Sequence, residues 1–246
     1  MATMTIEGLG EVSASISVVI PAKDEEATIG EVIDGCAPYA DETIVVDGHS
    51  RDRTRDIARQ RGAKVAIDNG KGKGAALRQA IGLAAGEIIV FIDADGSHDA
   101  RDIPRLVAPI LRGEADHVSG SRLMGGSSEL HGTFDECFRL MGSSFITACI
   151  NARFGVVLSE SQNGFRAIRT EVARKLGLRE EITTIEQEMI MRTLKKGFRM
   201  AEVPTHEYKR RSGVSHIRLS RVWLAYIISL VKGLFFLGEA SRRFRR

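Results

Sequence analysis

The stretch "VFIDADGSHD", residues 90–99, carries an apolar run directly into three acids, a glycine and a histidine. In open α/β sheets, ligands sit beyond the carboxyl ends of the strands. A buried strand ending in Asp93 and Asp95 therefore reads as the floor of a site. Two carboxylates one residue apart can share a hard divalent cation, directly or through its waters, and Mg²⁺ or Mn²⁺ would then bridge to substrate phosphates. A D-x-D alone is more often a solvated acidic turn, so the neighbouring strands have to decide the matter.

Working outward, "SISVVIPA" (15–22) is a second β-branched run, followed by Asp24 and Glu25, and "ETIVVDGHS" (42–50) is a third, carrying Asp47. Three strand ends thus carry acids. Helical stretches alternate with the strands. One stops near Gly35 and Pro38. A second, "SRDRTRDIARQRG" (50–62), has Ser50 as its expected N-cap and Gly62 as its stop. "AKVAID" (63–68), a helix entered through "GKGKG" (70–74), the helix "RDIPRLVAPILRG" (101–113) and the strand "ADHVSGSR" (115–122) continue the pattern. This alternation predicts an α/β fold, a mostly parallel sheet with helices on both faces.

Beyond residue 120 the pattern changes. Residues 132–155 read as one long helix, 162–177 as a loop and a short helix, 183–197 as a helix, 198–204 as a last strand and 220–246 as a closing helix. Residues 1–217 are read as one domain and 218–246 as an apolar, basic helix appended to it.

The 246 residues are 43% hydrophobic, enough for a sizeable core. Cys36, Cys137 and Cys149 form no paired motif and read as free thiols of a reducing cytoplasm. The net charge of +3 hides an asymmetry. Residues 205–246 hold ten Lys or Arg against two Glu, and the remainder is mildly acidic. Such a tail suits an anionic partner. No recognition-helix or base-stacking motif accompanies it, so nucleic acid is not the expected partner.

"NGKGKGAAL" (69–77) is neither a Walker loop nor a dinucleotide fingerprint, although its glycines would let phosphate approach a helix start, with Lys71 and Lys73 adding charge. Glu186 and Glu188 lie two apart on a helix and point in roughly opposite directions. Spacing turns Glu186 toward Met189 and Ile190, while Glu188 stands four before Arg192, a favourable surface pair.

Taken in order, "VVIPAKDEEATIGEVI", "ETIVVDGHSRDRTRDIA", "GKGKGAALRQAI", "IIVFIDADGSHD", "VSGSRL", "QNGFRAIRTEV", "EQEM" and "EVPTHEYKRRSGVS" resemble the family 2 glycosyltransferases of the GT-A fold, and among them the dolichol-phosphate mannosyltransferase group. The resemblance runs from about residue 16 to 218. It implies an inverting, metal-dependent transfer of a hexose from a nucleotide-diphosphate sugar to a polyprenyl phosphate. Pro21, Ala22 and Glu25 would hold the nucleotide, Asp47 the base, Lys73 the donor, and Asp93 and Asp95 the Mg²⁺ or Mn²⁺ on its pyrophosphate. Arg122, Arg139 and Arg210 would lie near donor or acceptor phosphates. The family's "EM" pattern gives Glu188 precedence over Glu186 as the carboxylate base that a hydroxyl acceptor would need, and Asp95 is read as catalytic through its metal. Three departures bear on the donor base: Asp24 stands for the usual asparagine, the usual Asp-Asp-Gly-Ser reads Asp47-Gly48-His49-Ser50 so that its second acid is missing, and His216 replaces a usual lysine. Transfer to a small soluble acceptor, or nucleotide-sugar binding without turnover, are the alternatives.

Val222–Leu237 is apolar but for Ser229 and Lys232. At ~1.5 Å per residue it covers roughly 24 Å, short of the ~30 Å hydrocarbon core of a bilayer. Trp223 and Tyr226 suit a headgroup interface and the arginines at 242, 243, 245 and 246 an anionic leaflet. The expectation is a helix lying at the cytoplasmic face of the membrane. The alternative is packing on the domain or on a second subunit.

Overall fold

The computed structural model describes residues 2–6, 10–128, 134–211 and 219–236. A hairpin of β1 (Ala2–Ile6) and β2 (Gly10–Ala14) precedes the main sheet. The chain then runs β3 (Ile16–Ala22), α1 (Ile29–Cys36), β4 (Glu42–Asp47), α2 (Thr54–Gln60), β5 (Lys64–Ile67), α3 (Lys73–Leu83), β6 (Ile88–Phe91) and α4 (Ile103–Leu111). It continues with β7 (His117–Ser121), the single turn α5 (Arg122–Gly125), α6 (Phe134–Phe154), β8 (Arg166–Arg169), α7 (Thr170–Leu176), α8 (Ile185–Lys195), β9 (Met200–Pro204) and α9 (Leu219–Val231).

The seven-stranded sheet has the order β5-β4-β3-β6-β8-β7-β9. All neighbours are parallel except β8, which runs antiparallel to both β6 and β7. Alternation along the strands sorts the core into two layers. Ile16, Val18 and Ile20 of β3 face α1 and α4, while Val19, with Ile89 and Phe91 of β6, faces α3, α7 and α8. Both faces are covered, which is why the parallel strands read as continuous apolar runs.

Register brings the strand-end acids to one edge. Ala22 pairs with Asp47, Asp47 with Ile67, and Val19 with Phe91, so Asp93 follows two residues beyond a fixed pair.

Several expectations change. The segment 162–177 contains β8 as well as α7. The N-cap position of α2 is Arg53 rather than Ser50, whose hydroxyl instead accepts the Asp24 amide at 2.9 Å. The closing helix is α-helical to Val231 and then widens into a π-helical turn over Lys232–Phe236; residues beyond that lie outside the description. One face of α9 packs on α6 and α8 through Leu230, Leu234, Ile146, Ile150, Ile190 and Met191. Tyr226 serves this packing: its hydroxyl donates to Thr183 Oγ1 at 2.9 Å and its carbonyl accepts from Gln187 Nε2 at 2.9 Å. Among the described residues no helix is long and apolar enough to cross a membrane.

Candidate active site

Asp93 and Asp95 leave the end of β6 toward different partners. Lys73 Nζ, from the first turn of α3, lies 2.7 Å from Asp93 Oδ1 and 3.0 Å from Glu186 Oε1 on α8. Burial works against the ammonium charge, but the two carboxylates outweigh it and hold the Lys73 pKa above the usual lysine value. Burial likewise opposes charge on Asp93, and Lys73, His98 and Arg210 together keep its pKa below the ordinary carboxylate value. Asp95 Oδ1 accepts the Ser97 amide at 3.0 Å and its hydroxyl at 2.6 Å, and Oδ2 faces Arg210 at 3.0 Å. Arg210 also reaches Glu25 Oε1 at 3.1 Å, where burial raises the Glu25 pKa despite that cation. Four carboxylates and two cations, from five separate stretches of chain, therefore meet at one edge of the sheet.

Backbone geometry supports this arrangement. Asp24 has φ 55°, and its side chain accepts the Arg51 amide at 2.7 Å, locking the turn after β3 to the turn after β4. Left-handed backbone is tolerable for Asp or Asn, whose short polar side chains bond locally. Gly164 lies so close to the floor that a Cβ there would come within 2.7 Å of Asp93 Oδ2 and 3.1 Å of Lys73 Nζ.

Gly72 and Gly74, at the start of α3, serve a different purpose from the expected one. A Cβ on Gly72 would meet Glu181 O at 2.8 Å, and one on Gly74 would meet Glu180 O at 2.5 Å and Ile182 O at 2.7 Å. The Ala75 amide donates to Glu181 O at 3.2 Å. Carbonyls of the loop before α8 thus occupy the start of α3, where phosphate was expected, and the glycines let that loop approach.

Glu186 and Glu188 separate cleanly. Glu186 faces Lys73, on the side of Asp93. Glu188 accepts the amides of Arg179 and Glu180 at 2.9 and 2.8 Å and Arg192 Nε at 2.7 Å. The precedence given to Glu188 is corrected: α8 turns it away from Asp93, into a buried cap for the loop over Gly72 and Gly74. Its pairing with Arg192 is buried, not a surface pair.

Arg122 also differs from expectation. Its guanidinium is closed between Glu160 Oε1 at 2.5 Å and Glu207 Oε1 at 2.6 Å, so a phosphate would have to displace a carboxylate. Glu207 accepts from Ser127 Oγ at 2.8 Å and pairs through its backbone with His98, which stacks on Phe165 at 5.1 Å between ring centroids. Arg122 therefore ties β7 to the segment that carries Arg210 toward Asp95. Arg139 lies on α6, with its side chain outside the described residues, as does the whole of His216.

Asp47 is fully buried. Its Oδ2 accepts the Ser50 amide at 3.0 Å and stands 3.6 Å from Arg55 Nε, while Oδ1 has no hydrogen-bond partner among the described residues. Pro21 and Ala22 form the adjoining end of β3.

Sequence reasoning missed Glu160, Glu207 and Arg166. Arg166 is 1% exposed and donates to the Glu186 carbonyl at 2.9 Å and to the Asn163 carbonyl. Arg166 and Glu207 lie within the quoted stretches "QNGFRAIRTEV" and "EVPTHEYKRRSGVS", but the role of each, like that of Glu160, is defined by a partner far along the chain.

Asp93 and Asp95 supply two hard oxygen donors at this edge of the sheet. Among the described residues no cluster of three or more His, Cys, Asp or Glu forms a complete metal cage. Mg²⁺ commonly takes one or two carboxylates and completes its shell with waters and substrate phosphates. The pair therefore fits the protein's share of such a site.

The model of the family described as glycosyl transferase family 2 matches residues 17–177. Glycosyltransferase AglJ of Haloferax volcanii is 30% identical over 204 residues, covering 81% of this chain and 65% of that protein. The dolichyl-phosphate hexose transferase of the same organism is 30% identical over 203 residues, covering 80% and 84%. Among solved structures, glucosyl-3-phosphoglycerate synthase from Mycobacterium tuberculosis, in complex with Mn²⁺, UDP and glucosyl-3-phosphoglycerate, superposes with a TM-score of 0.73 at 26% identity, covering 94% of this chain and 82% of that one. The chain thus spans just under two thirds of the AglJ length. With the mixed seven-stranded sheet and the acidic strand ends in place, the chain belongs to glycosyl transferase family 2.

Proposed function

We propose that the chain transfers a hexose, with inversion, from a nucleoside-diphosphate sugar to a polyprenyl phosphate, at the cytoplasmic face of a membrane. The observation that carries the acceptor class is the pairing of the site's acids. A hydroxyl acceptor needs a carboxylate base. Here Asp93 and Glu186 are bridged to Lys73, and Glu25 and Asp95 to Arg210. A phosphate acceptor is already anionic at neutral pH and needs arginine to orient it more than a base to activate it.

Each residue then has a defined task. Asp93 and Asp95 would hold Mg²⁺ or Mn²⁺, which when bound offsets charge on the departing nucleoside diphosphate. The unpartnered Oδ1 of Asp47 would accept a nucleobase N–H. Lys73 and Glu186 fix one another and present polar groups to the donor. Arg210 would exchange a carboxylate for a phosphate oxygen as substrates enter. An acceptor oxygen forms the new bond to the anomeric carbon, and the bond to the diphosphate breaks on the opposite face. The Haloferax dolichyl-phosphate hexose transferase supports this acceptor.

A second reading is transfer to a small phosphorylated acid. The glucosyl-3-phosphoglycerate synthase of Mycolicibacterium paratuberculosis is 40% identical over 118 residues, 42% of this chain, and the solved mycobacterial synthase favours the same reading. Labelled donor distinguishes them. Label entering butanol only with polyprenyl phosphate and divalent metal supports lipid transfer. Donor consumed with label kept in water supports the soluble acceptor. Donor bound but unconsumed would overturn both.

A further inference from the structure

α6, α9 and the turn after α9 expose several large apolar side chains. On α6, Met141 and Phe145 are 64% and 60% exposed. On α9 and the turn after it, Trp223, Leu224, Ile228 and Phe235 are 56%, 52%, 44% and 70% exposed. The two helices pack side by side through Ile146, Ile150, Leu230 and Leu234. Leu224, Ile228 and Phe235 follow helical spacing on the side away from that contact. Among the described residues, seven of the thirteen large exposed apolar side chains lie on these two helices and the turn after α9, a concentration beyond scattered surface residues.

Charge indicates what covers the face. Residues 219–236 contain Arg221 and Lys232 and no acid, and residues 205–246 as a whole hold ten cations against two Glu. A second copy would meet this stretch with the same excess of cations, so like charge opposes self-association through it. An anionic headgroup layer is complementary to the cations while its acyl boundary accepts the apolar side chains. A single weak signal gives only marginal membrane binding, and here an apolar face and a basic segment occur together.

We propose that the exposed face of α6 and α9 docks this protein on an anionic lipid bilayer. This rests on the lipid-acceptor reading, since docking would bring the cleft to an acceptor whose tail stays in the membrane.

Trp223 is the chain's one tryptophan and lies on the proposed face, so its fluorescence reports docking directly. The full chain would be titrated with vesicles of phosphatidylcholine, and with vesicles containing phosphatidylglycerol as well. The expected result is a blue shift and quenching by brominated lipid with the anionic vesicles, reversed by high salt. Leu224→Glu with Ile228→Glu, at exposed positions, should weaken this binding at least about tenfold and leave donor binding unchanged. Two outcomes overturn the proposal: unchanged emission with anionic vesicles, or a stable dimer in sedimentation that the double variant dissociates. The activity assay stays separate. Turnover on a short, water-soluble polyprenyl phosphate without vesicle binding would refute docking alone. Vesicle binding without transfer to any polyprenyl phosphate would refute the acceptor reading.

Discussion

Arg210 lies 115 residues beyond Asp95 in the chain, and its guanidinium sits 3.0 Å from Asp95 Oδ2. The same guanidinium holds Glu25, so a protein cation stands among the carboxylates where metal and phosphates are proposed to enter. Arg210→Ala should slow transfer about a hundredfold, the scale for losing one aimed donor. It should also tighten Mn²⁺ binding to the substrate-free protein about tenfold, because two carboxylates lose their competing charge. Stability should fall by about 1–3 kcal/mol, since Glu25 and Asp95, both mostly buried, lose their cation. Metal titration, kinetics and thermal melts of the one variant check all three.

Asp95→Asn should keep the fold and lose metal-dependent turnover. A chelator should abolish transfer by the native chain. Full activity in both tests would remove the metal role from this pair.

Glu186 and Glu188 should respond in opposite ways. Glu186→Gln should lower turnover about a hundredfold, because Lys73 loses one of the two carboxylates that position it, and should cost less stability than the Glu188 change, since Asp93 still pairs with Lys73. Glu188→Gln breaks a buried pair with Arg192 and should cost about 3 kcal/mol of stability. Denaturant unfolding and steady-state kinetics on both variants separate the cleft carboxylate from the capping one.

Gly164→Ala places a methyl against Asp93 and Lys73. It should depress turnover while leaving secondary structure intact, read by kinetics and circular dichroism. Gly74→Ala drives a methyl into the carbonyls of Glu180 and Ile182 and should destabilise by about 1–3 kcal/mol.

The pH dependence of stability has a definite sign. His117 is buried with Nδ1 2.9 Å from Thr193 Oγ1, and burial, reinforced by Arg166, holds its pKa well below 6.5. The folded imidazole stays neutral while the unfolded one takes up a proton, so its contribution is present above about pH 6.5 and lost as pH falls through that value. The loss approaches ~1.4 kcal/mol per pH unit. His98 is depressed by burial in the same direction. His117→Gln should flatten the decline in urea midpoints below pH 6.5, and an unchanged slope would contradict the assignment.

The sheet was legible wherever β-branched runs met acids: β3, β4 and β6 declare both their burial and the edge they point to. β8 was not, because Arg166 and Arg169 bracket two apolar residues and a four-residue strand cannot announce itself between charges. The β1–β2 hairpin passed unread although "TMTI" and "EVSA" stand on either side of the sequence Gly8-Leu9-Gly10. Within the site, helical spacing indicated that Glu186 and Glu188 diverge, but which one meets the cleft depends on how α8 packs against α3. Arg122 was legible as a cation, whereas its partners Glu160 and Glu207 lie 38 and 85 residues away and only the fold joins them.

The most direct measurement is one competition reaction. The full chain, divalent metal and pooled UDP- and GDP-hexoses would be supplied with equal polyprenyl phosphate and phosphoglyceric acid, with products identified by mass spectrometry and anomeric configuration by NMR. The account predicts a hexosyl phosphopolyprenol of inverted configuration as the main product. Hexose appearing only on phosphoglyceric acid would contradict it.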